Sequence, residues 1–423
     1  MRTHLLPCLL ACCVIAIPWP AQAGAPDQDP PLSLQRAIAL TLRHNPALQA
    51  ADYAAQAADA RIRQAERAPP LRAGVELENL AGTGATRRLE AVEATLSLTR
   101  VLEPGGKAKG RGELARREAR LLNDEQDARR LDLLAETAQR FLQVVADQER
   151  LVVEQDATEL ARKTLEIVTQ RARIGKIPTA EQQKAEIAFA RAELDLLRAQ
   201  HQLKSARHSL AVSWADTDAT FSAAQADLLT LPPAPPFAAL EAHLERNPDL
   251  LRFATAQRVG EARERLARAG RRPDIELAAG VRYLNAIDDT AFVLAASVPL
   301  GTGRRARSEI DEARALQRRE PLAHAERRLA LHATLYSLHQ QLLQTRLEVE
   351  SLRGRIIPAA ELALRDYAHG YRAGRYSFLE LADAQRVLLD ARREVISTAA
   401  DHHRFGIEID RLTGGAAISG DTP

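Results

Sequence analysis

Asn-Pro occurs at two places, Asn45-Pro46 and Asn247-Pro248, and each is embedded in the same succession of patterns. Leu34 to Arg67 reads as a helix interrupted at the first pair, and Leu240 to Arg268 as one interrupted at the second. Prolines end both (Pro69-Pro70 and Pro273), and a period of two begins. Ala73, Val75 and Leu77 alternate with Arg72, Gly74, Glu76 and Glu78; Ile275, Leu277, Ala279, Val281 and Tyr283 alternate with Asp274, Glu276 and Arg282. Such alternation is a strand with one apolar and one polar face. Across a polar loop each gains a companion: Val92, Ala94, Leu96 and Leu98 between Glu93, Thr95, Ser97 and Thr99, and Phe292, Leu294, Ala296, Val298 and Leu300. The chain therefore carries two hairpins, over 71–100 and 274–300, and neither can close a sheet on itself. Strands of about ten residues are long enough to cross a bilayer at a tilt.

Each hairpin ends in a glycine turn, Pro104-Gly105-Gly106-Lys107 or Gly301-Thr302-Gly303-Arg304, that feeds a long basic-rich helix. The first runs from Lys107 to Arg173, with Leu131, Leu134, Ala138, Phe141 and Val145 in heptad spacing; at the usual helical rise it would span roughly 100 Å. Arg173-Ile174-Gly175-Lys176-Ile177-Pro178 is its tip, and Thr179 to Val212 returns. In the second copy Leu331, Leu335, Leu338, Leu342, Val349, Leu352 and Ile356 form a seam that needs a partner helix. Pro321 and Pro358 are expected to kink or break that helix. The tip is Tyr371 to Asp383, where Gly374 supplies a left-handed turn and Ser377 an N-cap. Leu381, Leu388 and Val395 then recur every seven on the way to Leu412-Thr413-Gly414. The domain plan is a leader over 1–23, a first repeat over 24–231 with its tip near 175, a Pro-rich linker over 232–236, a second repeat over 237–414 with its tip near 374, and a disordered tail over 415–423.

Lys plus Arg number 58 against 56 Asp plus Glu, so no nucleic-acid footprint is indicated. Charged residues at 27% with aromatics at 4% fit long helices better than a thick globular core. Arg2, the apolar run Leu5 to Ile17 and Ala21-Gln22-Ala23 make a secretory leader with removal after Ala23; the alternative is acylation of Cys12 in Leu9-Leu10-Ala11-Cys12. Cys8, Cys12 and Cys13 all lie in that leader, which leaves the mature chain no thiol for a disulfide or a soft metal. No mature stretch is apolar for long enough to cross a membrane as a helix, so a crossing must be made by a barrel.

The doubled Asn-Pro, doubled hairpin, doubled glycine tip and terminal Arg411-Leu412-Thr413-Gly414, in this order, resemble the TolC family of outer membrane factors from about Leu32 to Gly414. Leu102-Glu103-Pro104-Gly105-Gly106-Lys107 followed by Arg111 is most similar to the CzcC-like heavy-metal efflux branch. The resemblance implies a mainly α fold with a small β part. It further implies a homotrimer whose chains each give four strands to one twelve-stranded barrel in outer membrane lipid, with the helices continuing as a hollow α-barrel through the periplasm. Arg72, Glu76, Glu78, Asp274, Glu276 and Arg282 would then face the lumen. The implied role is the passive exit duct of a tripartite efflux system, of the resistance-nodulation-division type exporting divalent heavy-metal cations. A periplasmic adaptor and an inner-membrane pump are its implied partners. Multidrug efflux, type I secretion and a soluble periplasmic coiled-coil scaffold or adaptor are the alternatives.

Glu380 and Asp383 share a helix face just beyond Gly374, where the family places acidic residues lining the periplasmic aperture. Three copies would stack them as carboxylate rings, a cation-selective constriction in which repulsion raises the pKa values or holds a cation; the first repeat has Glu181 and Lys184 instead. Arg173, Gly175, Lys176 and Pro178 of one tip and Tyr371, Gly374, Arg375 and Ser377 of the other are the expected adaptor contacts. His402 and His403 are neighbours pointing about 100° apart, and His332 and His339 lie two turns apart, so neither pair can chelate one ion. No metal site, cofactor or catalytic motif is expected.

Overall fold

The computed structural model describes residues 31–414 apart from 81 and 88. The expected leader over 1–23, with Cys12, and the tail over 415–423 lie outside the described residues. Ser33 caps α1 (Leu34–His44) by accepting the Arg36 N–H at 3.2 Å. Asn45 separates α1 from α2 (Pro46–Ala65), and its carboxamide serves two helices at once. Its Oδ1 accepts the Ala47 N–H at 2.9 Å, which caps α2. Its Nδ2 donates to the Ser213 carbonyl at 2.8 Å, just past α4 (Thr179–Val212), where carbonyls lack intrahelical partners. The second repeat does likewise. Asn247 precedes α6 (Pro248–Ala269), accepts the Asp249 N–H at 2.8 Å and donates to the Leu412 carbonyl at 2.8 Å, the last residue of α9 (Phe378–Leu412). The entering helix of each repeat thus stands head to tail on its returning helix. α4 and α2 both pack along α3 (Lys107–Arg173), and α9 and α6 both pack along α7 (Thr302–Ser351). α5 (Phe237–Leu244) leads into α6 and packs on α7.

The strands β1 (Arg72–Glu78), β2 (Glu93–Leu102), β3 (Ile275–Leu284) and β4 (Asp289–Ser297) form one antiparallel sheet in the order β1-β2-β3-β4. The two hairpins join through β2 and β3, with Leu96 opposite Val281 and Thr95 opposite Arg282. This register gathers charge on one face. The Arg282 guanidinium donates to Glu93 at 2.8 Å and to Thr95 Oγ1 at 3.0 Å, and pairs with Glu78 at 2.9 Å. Gly280 lies on the same face; a Cβ there would come within 2.6 Å of the Leu96 carbonyl oxygen, so the close β2–β3 approach requires glycine. The opposite face is bare and apolar: Val75 is 72% exposed, Leu96 63%, Phe292 90% and Leu294 84%, values a water-facing sheet would not sustain. β1 and β4 each keep one edge without a partner strand among the described residues.

The apolar seams are occupied as their spacing predicts, with two corrections. Leu331, Leu335, Leu342, Val349 and Leu352 are buried, as are Leu381, Leu388 and Val395. No break occurs at Pro321: α7 runs through it at an exposed position. At Pro358 the helix does change, by widening. A π turn over Leu352–Ile356 precedes α8 (Ile357–Arg372), the form expected where a proline withholds its N–H. The extra residue shifts the apolar phase by one, so Ile356 is exposed and Ile357 takes its place against the core.

The segment between the repeats is held by imidazoles. His403 donates to the Leu228 carbonyl at 3.0 Å, His402 to that of Pro232 at 3.4 Å and His339 to that of Pro235 at 3.0 Å. Arg353 adds a bond to the Leu229 carbonyl at 2.8 Å. Prolines cannot donate and leave their carbonyls in want of partners, and these side chains supply them. Burial lowers the pKa of His402 and of His403, so both are held neutral.

Candidate functional site: the paired helix tips

Both helix pairs turn by the same device. Gly175 and Gly374 take φ of 71° and 77°, and the following residue reaches back across the turn: Lys176 N–H to the Arg171 carbonyl at 3.0 Å, Arg375 N–H to the Gly370 carbonyl at 2.8 Å. These bonds close the last helical turn as left-handed glycine caps do. Three residues on, the copies differ. Ser377 forms a full capping box with Glu380, whose Oε2 accepts the Ser377 N–H at 2.8 Å and its hydroxyl at 2.9 Å. Pro178 stands in the same place in the first repeat and offers no side-chain cap.

The two tips are packed against each other. Val168, Ala185, Tyr371, Phe378 and Leu381 form a small core between them, and Gln385 donates to Thr164 Oγ1 at 2.8 Å beside it. The Arg171 guanidinium lies 4.6 Å over the Tyr371 ring, within cation–π reach, and also donates to the Tyr371 carbonyl. Tyr376 covers Gly370 and meets the Tyr367 ring at 4.7 Å with a tilt of 52°, which fixes the turn from outside.

Of the expected docking residues, Arg173, Gly175, Lys176, Pro178, Gly374, Arg375 and Ser377 are exposed at the two tips. Tyr371 is not: it is 2% exposed and belongs to the core between the tips, which corrects its reading as a surface contact. The signal was present, since Tyr371 continues the apolar spacing from Leu364 and Ala368. Arg171, which pins the tips together, carried no comparable signal because nothing local marks an arginine that serves a helix two hundred residues away.

Glu380 and Asp383 lie together on the exposed side of α9. The Ser377 N–H, then its hydroxyl, hold the Glu380 carboxyl below its usual range within the single chain. Asp383 pairs with Arg386 at 2.7 Å. Both groups present negative charge at the end of the helix layer. No group of three metal-ligating side chains occurs among the described residues.

A sheet with free edges and one bare apolar face, standing on helices none of which can itself cross a membrane among the described residues, defines a subunit of a membrane barrel prolonged by helices. The comparisons agree. The sequence profile described as "Outer membrane efflux protein" matches residues 37–216 and 239–415, and the chain belongs to that family. It is 26% identical over 384 residues to the cobalt-zinc-cadmium resistance protein CzcC of Cupriavidus metallidurans, covering 91% of this chain and 90% of that one. Its fold matches the crystal structure of CusC with a TM-score of 0.75 at 19% identity, over 92% of this chain and 93% of that one. It matches VceC from Vibrio cholerae with a TM-score of 0.72 at 19% identity, over 90% and 96%. The chain is thus an outer membrane efflux channel subunit with its helical part in the periplasm, and not an enzyme. Family members are trimeric and work with adaptor and pump partners.

Proposed function

We propose that three copies of the chain close into one twelve-stranded barrel and helical tube that serves as the exit duct for divalent heavy-metal cations in a resistance-nodulation-division efflux system. The observation that carries the tube is the sheet: its β1 and β4 edges are unpaired and its outward face is apolar, so it is stable in lipid only when neighbouring copies supply the missing strands. The helix layer has matching open flanks. α4 exposes Ile187, Leu194 and Leu197 along one flank, and α7 exposes Leu322, Leu329 and Tyr336 at heptad spacing along the other. The metal reading rests on the likeness to the cobalt-zinc-cadmium resistance protein. Glu380 and Asp383 would ring the periplasmic end with carboxylates that favour cations, and the exposed residues of both tips would receive the adaptor. The experiment is complementation of a strain lacking its own channel, co-expressing the cognate pump and adaptor. Restored tolerance to zinc, cobalt or cadmium is expected; restored tolerance to drugs alone would replace the metal reading with multidrug efflux.

A further inference from the structure

The outward side of the helix layer beneath the sheet is fixed by a few contacts. Gly110 of α3 faces Leu266 of α6, and Gly112 faces Glu66 just past α2. Between those two directions, Lys107, Arg111, Arg263 and Arg305 line a cleft of about 630 Å³ together with Asp274. Asp274 continues the charged face of β3, so the cleft lies on the side that the sheet turns to the lumen. Residues on the opposite side of the same helices continue the apolar face. Lys109 of α3, Arg265 and Arg268 of α6 and Arg307 of α7 stand there by helical phase. Arg100 stands there by strand register: it shares a face of β2 with Leu96 and Leu98, lies opposite Leu277, and comes two residues before the strand ends at Leu102.

The outward acids nearest the sheet are committed. Glu113 pairs with Arg265 at 2.8 Å, and Glu264 pairs with both Arg268 and Arg314 at 2.8 Å. Arg100, Lys109 and Arg307 are exposed and have no ion pair among the described residues. A level at which an apolar band ends and uncompensated cations begin is the level of lipid phosphates. Long basic side chains can lie along the band and extend their charge to that depth.

We propose that this outward basic collar, at the helix end of the sheet, binds the phosphodiester headgroups of anionic glycerophospholipids. It rests on insertion of the apolar sheet face in the membrane, but insertion alone would retain neutral and anionic lipids alike, so the two ideas fail separately. Continuity with the lipid-facing sheet and charge complementarity select this occupant.

The test is native mass spectrometry of the purified full chain in non-ionic detergent, mixed with equimolar phosphatidylglycerol and phosphatidylcholine. The wild type is expected to retain phosphatidylglycerol in preference, and less so as salt rises. R100Q/K109Q/R307Q should reduce that preference by about tenfold or more, and R263Q/R305Q on the cleft side should leave it intact. Should the triple variant lose its helical circular dichroism, K109Q and R307Q singly are each expected to take about fivefold. Equal retention of both lipids by the wild type, an undiminished preference in the folded variants, or an equal loss in R263Q/R305Q would overturn the proposal.

Discussion

Glu154 of α3 and Arg393 of α9 form a two-pronged ion pair across the two repeats, Arg393 Nε and Nη2 reaching the carboxylate at 2.9 and 2.7 Å. The Glu154 side chain is 3% exposed, and its other cationic neighbour among the described residues is Arg150 at 3.8 Å. Breaking one side of such a pair strands a buried charge. Arg393→Met should destabilise the chain by about 3–5 kcal/mol, whereas Glu154→Gln with Arg393→Met should recover most of the loss. Thermal unfolding of the three variants in detergent measures it; additive losses would refute the coupling.

The Asn-Pro junctions predict a matched pair of effects. Asn45→Ala and Asn247→Ala each remove a cap and the bond to a facing helix end, and each should cost about 1–3 kcal/mol. Asn→Asp keeps the cap but loses the Nδ2 donor, so it should recover only part. Hydrogen exchange at the first turns of α2 and α6 should report the lost caps directly.

The linker histidines predict an acid limit. His402 and His403 titrate below their ordinary value because they are buried, so the unfolded chain takes up protons before the folded one does. The charged groups facing them are Arg346, which lowers His402 further, and Asp227, which partly offsets burial at His403. Stability is therefore complete above the unfolded value of about 6.5 and declines as pH falls through it. H402Q/H403Q should flatten the fall in melting temperature between pH 7 and 5; an unchanged slope would exclude the imidazoles as its source.

Asp410 works in the opposite sense. Burial raises its carboxyl to about 6, and no cation pairs with it among the described residues. The folded chain keeps this proton longer than the unfolded one, so the group costs stability increasingly as pH rises from about 4 through 6. Asp410→Asn should raise the melting temperature at pH 8 and leave it unchanged at pH 4.

At the tips, Glu380→Gln with Asp383→Asn should reduce cation selectivity in single-channel recordings, and unchanged reversal potentials would remove the carboxylate ring. Glu380→Gln alone also weakens the capping box, so a change in α9 fraying without a change in selectivity would assign Glu380 to the fold.

How much of this was written locally follows from the kind of order involved. The limits of α3 and α4 were legible because glycine and proline punctuate them and heptads fill them. The strand faces were legible because a period of two leaves no choice of side. The joining of β2 to β3 was not, since any pairing of the two hairpins satisfies the same alternation. Nor was the pinning of Tyr371 by Arg171, a contact between repeats. The capping box was legible as well, since Ser377 stands three residues before Glu380.

The widened turn over Leu352–Ile356 acts as a phase corrector for everything below it. Deleting one residue there would return the helix to ordinary winding and leave α8 facing as it does, because the wide turn already absorbs the extra residue. The same deletion in the ordinary winding of α7 would rotate everything below it by about 100°, carrying Tyr371 from beneath Arg171 and loosening the lower end of the second repeat from the first. The length of this helix is thus counted in single residues everywhere but at its one wide turn.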